Sequence, residues 1–211
     1  MEHIGEVLQN YRPGMATPSH HQTQAYPART GEEIARSLNV NLSHTFENFK
    51  QRPGTKQALF AFKGVLAGPR FMLLCYGGVG NGKTHLCEAA AIELYRMVKF
   101  CRVLNFARIL NTLKLSISNP ELSYDEILNN YCYADRLIVD DVGAGESDTE
   151  FGNRILETIV CARYGRELLT IMTTNRDIST LPERVLSRFA DKTTSYLVHN
   201  EGDDYRRLKE Q

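Results

Sequence analysis

The chain has 211 residues, 42% of them hydrophobic, with 25 basic and 25 acidic side chains that cancel to a formal net charge of zero. That length supports one sizeable core with an appendage. Neutrality excludes a global field that would draw the molecule to nucleic acid or a membrane surface, so any such contact must be local or belong to an assembly. The five cysteines, Cys75, Cys87, Cys101, Cys132 and Cys161, form no CxxC pair and lie mostly in apolar segments, the usage of buried thiols in a reducing compartment. No apolar run reaches the roughly 18 residues needed to cross a bilayer. Residues 1–30 lack the basic-then-apolar order of a signal peptide, and the expected location is the cytoplasm.

Residues 1–45 differ from the rest. Pro13, Pro18, Pro27, the His20-His21 pair and a scarcity of large apolar side chains read as a mobile arm. Short islands interrupt it: Ile4, Val7, Leu8 and Tyr11 fall at helical spacing, and Thr30-Gly31-Glu32-Glu33 has capping-box form ahead of Ile34, Ala35 and Leu38. Either is a docking helix for a partner or a helix that packs back on its own domain. Residues 46–211 form the second unit, in which strand-like apolar runs alternate with helical stretches, the pattern of an α/β fold with a parallel sheet covered on both faces. The strands are expected at 71–76, 101–106, 136–141, 168–174 and, more weakly, 193–198. Helices fill the gaps, at about 107–117 and 124–132 among others, with capping boxes at Ser123–Glu126 and Ser147–Glu150 placing helix starts before Ile127 and near Phe151.

Directly after the first strand comes Gly77-Gly78-Val79-Gly80-Asn81-Gly82-Lys83-Thr84, a complete GxxxxGK[ST] phosphate loop. Its glycines let successive amide N–H groups turn inward on phosphates, and the helix that follows adds the positive end of its dipole. Lys83 is the side chain to reach the β- and γ-phosphates, and the Thr84 hydroxyl is a Mg²⁺ ligand. The apolar run Leu137-Ile138-Val139 ends in Asp140-Asp141. Behind an intact phosphate loop these acids read as a Walker B element, with Asp140 holding Mg²⁺ and Asp141 orienting or deprotonating the attacking water. The next apolar strand exits through Thr173-Thr174-Asn175, which sets the Asn175 amide to hydrogen-bond the γ-phosphate or the lytic water. In Leu181–Phe189, Arg184 and Arg188 lie four apart on one helical face, opposite an apolar one, a helix suited to carry an arginine into a neighbouring subunit's nucleotide site.

The phosphate loop, Asp140-Asp141, Thr173-Thr174-Asn175 and Ser187-Arg188-Phe189, in this order, resemble the AAA+ ATPases, and most of all the DnaC/IstB branch related to the initiator DnaA. The resemblance runs from about Thr45 to the C-terminus. It takes in Thr45-Phe46-Glu47-Asn48-Phe49, similar to the linker that enters that domain beside the adenine, and Tyr76 through Leu86. It implies a P-loop NTPase with a parallel five-stranded sheet, ATP as the nucleotide with Mg²⁺, and an oligomer whose sites lie between subunits. It further implies that Asn175 is the first sensor and Arg188 the trans-acting arginine finger. Asp141 stands where many members carry Glu, and its shorter reach implies slow or switch-like hydrolysis. Little or no helical lid is expected, and Gly202-Asp203-Asp204-Tyr205-Arg206-Arg207 resembles the branch's C-terminal Gly-x-Ser-Tyr-Arg, which would give Arg206 the lid's sensor role. In the initiator branch an insertion between the second and third strands touches single-stranded DNA, which makes Arg108 and Lys114 the phosphate-contact candidates, although a solvated helix surface carries the same residues.

The function implied is a DnaC-like helicase loader that delivers a hexameric replicative helicase to single-stranded DNA. An IstB-like transposition ATPase on duplex DNA shares every catalytic element. A small-molecule kinase would share the phosphate loop but has no use for Asn175 and an outward Arg188. Only Arg12, Arg29 and Arg36 are basic within 1–45, a composition that suits a protein partner better than a duplex.

Overall fold

The computed structural model describes residues 40–97, 101–143 and 149–205. The elements, in chain order, are α1 (Lys56–Ala67), β1 (Met72–Tyr76), α2 (Lys83–Arg96), β2 (Arg102–Asn105), α3 (Phe106–Ser118), α4 (Tyr124–Cys132), β3 (Arg136–Asp140), α5 (Glu150–Tyr164), β4 (Leu169–Thr174), a 3₁₀ turn (Ile178–Thr180), α6 (Glu183–Phe189) and β5 (Ser195–His199). The five strands make one sheet in the order β2-β3-β4-β1-β5, every pair parallel. Each parallel neighbour needs a crossover, and the helices between strands supply them.

The continuous apolar runs of β1, β3 and β4 arise because both faces of those strands are covered. Leu73 and Cys75 of β1, with Ile138 and Ile171, pack against Phe62, Val65, Leu86 and Leu94 of α1 and α2. Met72 and Leu74, with Leu137, Val139 and Met172, pack against Phe106, Ile109, Ile155, Ile159 and Phe189 from the helices of the other face. The result is three layers, with the sheet in the middle. Fully burying one such side chain contributes about 1.5–3 kcal/mol.

Several boundaries differ from expectation, each for a local reason. Phe106 belongs to α3 rather than to the second strand, because Asn105 is its N-cap and accepts a hydrogen bond from the Ala107 amide at 2.9 Å. Asp141 leaves β3 with φ 59, a left-handed conformation that cannot continue a strand. The cap of α5 is Thr149, which accepts from the Gly152 amide at 3.1 Å, while Ser147 of the expected box lies outside the described residues. Ser123 caps α4 by accepting from the Glu126 amide, as its box predicts. Val40 and Leu42, assigned to the arm, already pack against the core beside Phe46. The helical islands at 4–11 and 30–38, and Arg206, lie outside the described residues. Of the cysteines, Cys75, Cys87 and Cys132 are buried, whereas Cys101 and Cys161 are half-buried; all are free thiols.

Candidate functional site

At the C-terminal edge of the sheet the register aligns the chemistry. Cys75 of β1 pairs with Thr173 of β4, and Tyr76 with Thr174, while Asn105 of β2 pairs with Asp140 of β3. Parallel strands therefore deliver the phosphate loop, the acid pair and Asn175 to one edge, where open α/β sheets place their ligands. They line a cleft of about 860 Å³ together with Phe49, Arg52 and Tyr205.

The phosphate loop is shaped by its neighbours as well as by its glycines. Gly77 has φ 144, and a Cβ there would sit 2.2 Å from the Asn200 carbonyl oxygen. Gly82, at φ 94, opens α2, and a Cβ there would meet the Phe49 ring at 2.8 Å. Asn81 and Asn200 clasp each other: Asn81 Nδ2 donates to the Asn200 carbonyl at 2.7 Å, and Asn200 Nδ2 to the Asn81 carbonyl at 3.1 Å. Lys83, 5% exposed, folds its ammonium onto the carbonyls of Gly77 (2.9 Å) and Gly78 (2.6 Å) and onto Asn81 Oδ1 (3.0 Å). Burial draws the Lys83 pKa below its ordinary value, and nearby anions, the Asp140 and Asp141 carboxylates among them, oppose that.

The acids are held from three sides. The Thr84 hydroxyl donates to Asp140 Oδ2 at 2.7 Å, and the Cys87 thiol donates to Asp140 Oδ1 at 3.8 Å. The Thr173 hydroxyl also donates to Asp140 Oδ1. Asn175 Nδ2 donates to Asp141 Oδ1 at 2.6 Å. Burial and the neighbouring Asp140 push the Asp141 carboxyl above the usual range, opposed by the Asn175 hydrogen bond. Burial raises the Cys75 thiol to about 12 and lifts Cys87 well above its ordinary value, so both stay protonated.

One wall of the cleft comes from the entering segment. His85 donates from Nε2 to the Thr45 carbonyl at 2.8 Å, stacks on His44 at 4.4 Å and takes the edge of Phe49 at 5.3 Å. His44 in turn binds Glu88. At the mouth, the Arg52 guanidinium lies 4.2 Å over the Tyr205 ring, and the Tyr205 amide donates to the Gly80 carbonyl at 2.9 Å. Sequence reading missed the Asn81–Asn200 clasp, the Arg52–Tyr205 stack and the bridging role of Thr173. Thr173 carried a signal in the Thr-Thr-Asn exit, Asn81 in the phosphate loop and Tyr205 in the C-terminal motif, whereas Asn200 and Arg52 carried none.

Other predicted residues lie elsewhere. Arg188 is outside the cleft of its own chain; its Nη1 donates to the Arg184 carbonyl at 3.2 Å, its guanidinium lies 5.8 Å from the Tyr164 ring centre, and its Nε is buried with no hydrogen-bond partner among the described residues. Arg108 and Lys114 are exposed on α3, also outside the cleft. Six positions apart on a helix, they project about 120° from each other and do not form one stripe.

A metal ion fits this donor set. Thr84 and Asp140 offer a hydroxyl and a carboxylate beside a phosphate loop, the few oxygen ligands that Mg²⁺ takes when phosphates and water complete its shell. Among the described residues no cluster of three or more His, Cys, Asp or Glu would hold an ion alone.

Comparison with known proteins agrees with the geometry. The profile of the bacterial DnaA ATPase domain matches residues 40–194. The chromosomal replication initiator protein DnaA of Lactobacillus johnsonii is 30% identical over 167 residues, 75% of this chain and 36% of that protein. The replicative helicase loader DnaC of Escherichia coli is 28% identical over 183 residues, 81% of this chain and 71% of that protein. Among solved structures, the replication initiator DnaA bound to AMPPCP and single-stranded DNA superposes with a TM-score of 0.66 at 25% identity, covering 81% of this chain and 56% of that one. The chain thus spans little more than a third of the Lactobacillus initiator. Its match to the family profile, over a sheet order and a phosphate site of AAA+ type, leads to one statement: the chain belongs to the bacterial DnaA ATPase domain family of AAA+ proteins.

Proposed function

We propose that the protein is an ATP-hydrolysing helicase loader of the DnaC type, acting in DNA replication in the cytoplasm. The observation that carries the ATPase reading is the convergence of Lys83, the Thr84–Asp140 pair and the Asp141–Asn175 pair in one cleft at the sheet edge. Similarity to the Escherichia coli loader and an arm poor in basic residues support a protein partner, a replicative helicase, for residues 1–45.

The amides of Gly77–Thr84 and the N-terminus of α2 bind the phosphates, and the Lys83 ammonium exchanges its loop carbonyls for β- and γ-phosphate oxygens. Bound Mg²⁺, held by Thr84 and Asp140, supplies charge neutralisation on the phosphate oxygens. Asp141 takes up the proton of a water aligned with the γ-phosphate, and Asn175 fixes the Asp141 carboxylate while facing the same cleft. Arg188 completes the site of an adjacent subunit, so that turnover depends on self-association, and Arg206 acts as a second sensor. Arg108 and Lys114 contribute separate phosphate contacts to single-stranded DNA.

The test is anisotropy of labelled single- and double-stranded DNA, titrated with the protein with and without ATP, alongside ATP binding by Lys83→Ala. ATP-dependent preference for the single strand, with Lys83→Ala unable to bind ATP, is the expected result. Preference for the duplex overturns the loader reading in favour of a transposition ATPase. Unimpaired ATP binding and turnover by Lys83→Ala overturns the site assignment.

A further inference from the structure

We propose that Thr173 is a positioning residue that sets both acids of the catalytic pair through a single hydroxyl; this rests on the ATPase reading of the cleft. The Thr173 side chain stands at the end of β4, fully buried, one strand away from the acids. Its Oγ1 accepts a hydrogen bond from the Asp141 amide at 3.0 Å and donates to Asp140 Oδ1. A hydroxyl has one hydrogen, and the amide can only donate, so the direction of both bonds is fixed. The hydrogen goes to Asp140, and the oxygen holds the backbone of Asp141.

Each bond has a separate consequence. With Oδ1 engaged by Thr173 and by the Cys87 thiol, the Asp140 carboxylate turns Oδ2 toward Thr84, which donates to it at 2.7 Å. A metal ligand is thereby oriented by an outer partner, the arrangement whose removal typically costs 10–100-fold in metal affinity or activity. The Asp141 amide bond helps hold that residue at φ 59, a left-handed conformation that is uncommon outside glycine and that Asp tolerates better than most. The rest of the β4 exit repeats the restraint: the Val142 amide donates to the Thr173 carbonyl at 2.7 Å, the Thr174 hydroxyl donates to the Val142 carbonyl at 2.6 Å, and Asn175 binds the Asp141 carboxylate. The exit of β4 thus grips 140–142 one residue after another, and among the described residues Thr173 is the side chain that bonds both acids through the same atom.

The experiment compares Thr173→Val, which keeps the shape and removes the hydroxyl, with Thr173→Ser, which keeps the hydroxyl. Three readouts are taken on the full chain: ATP turnover against Mg²⁺ concentration, Mn²⁺ binding by electron paramagnetic resonance with a non-hydrolysable ATP analogue present, and hydrogen exchange at the Asp141 amide. Thr173→Val is expected to lower kcat and weaken Mn²⁺ binding by about 10–100-fold, to leave the KM for ATP within about threefold of wild type, and to speed exchange at Asp141. Thr173→Ser is expected to restore all three. If Val at this position does not fold, Thr173→Ala is read in the same way. A wild-type protein that hydrolyses ATP, with a Val or Ala variant matching it in Mn²⁺ binding and exchange, overturns the role of Thr173 and leaves the ATPase reading standing. A wild-type protein that binds no nucleotide overturns that reading itself. A Ser variant as impaired as Val also overturns the proposal, since packing would then explain the loss.

Discussion

Asp141 combines a left-handed backbone, a hydrogen bond from Asn175 and a carboxyl whose pKa is raised by burial and by Asp140. Because the folded state binds this proton more tightly than the unfolded chain, stability is lost as pH rises from the ordinary carboxylate range through the raised value. At neutral pH the ionised form is therefore a net cost to folding. Asp141→Asn removes that cost, tolerates the left-handed conformation and keeps an oxygen for Asn175. It is expected to raise the Tm at pH 7, with the gain vanishing once the pH falls below the ordinary carboxylate range, and to abolish turnover; thermal unfolding at pH 7 and at acid pH checks it. Asn175→Ala has the opposite electrostatic sign. It withdraws a donor from the ionised carboxylate, so the acid limb of the pH–rate profile is expected to move to higher pH. An unmoved limb would dissociate Asn175 from the titrating group.

Secondary structure was legible where one segment's own chemistry decides it. The apolar runs of β1, β3 and β4 announce strands covered on both faces, and Ser123 with Glu126 announces the start of α4. Ends decided by remote contacts were not legible. Asp141 leaves β3 because Thr173, 32 residues away, receives its amide, and the loop is clasped by Asn200, 119 residues from Asn81. In the candidate site, the residue types that carry chemistry were readable from the phosphate loop onward, whereas the atoms that orient them were not. Arg163, at the last turn of α5, is fully buried although no sequence pattern marks it. It donates to Thr170 Oγ1 and to the carbonyls of Tyr131, Ala134 and Leu169, tying α4, α5 and β4 together, and burial draws its pKa down to about 10. It stays charged at neutral pH. Arg163→Met would strand those acceptors, and about 3 kcal/mol of stability is expected to be lost in urea denaturation, with nucleotide affinity unchanged because Arg163 lies outside the cleft. A loss under about 1 kcal/mol would mean that water satisfies the carbonyls.

For the whole molecule, neutrality and the position of Arg188 point the same way. The chain has no strong field of its own and Arg188 lies outside its own cleft, so under the proposed finger role Arg188 would act only through a neighbouring subunit. Turnover per subunit is expected to rise steeply with protein concentration. Arg188→Ala should retain ATP binding yet lose that rise, while mixing Arg188→Ala with Lys83→Ala subunits should recover part of it, since each supplies what the other lacks. A rate independent of concentration would remove the finger role.

The sheet order has a further consequence for how the protein is made. β1, which carries the phosphate loop, lies between β4 and β5, both later in the chain, and Asn200 just beyond β5 completes the loop's clasp. A growing polypeptide on the ribosome therefore holds its glycine loop unfinished until almost the whole domain has emerged. Chains ending before β5 lack the Asn200 clasp and are expected to hold nucleotide more weakly than the full chain, and closing that clasp across 119 residues is a long-range step in folding.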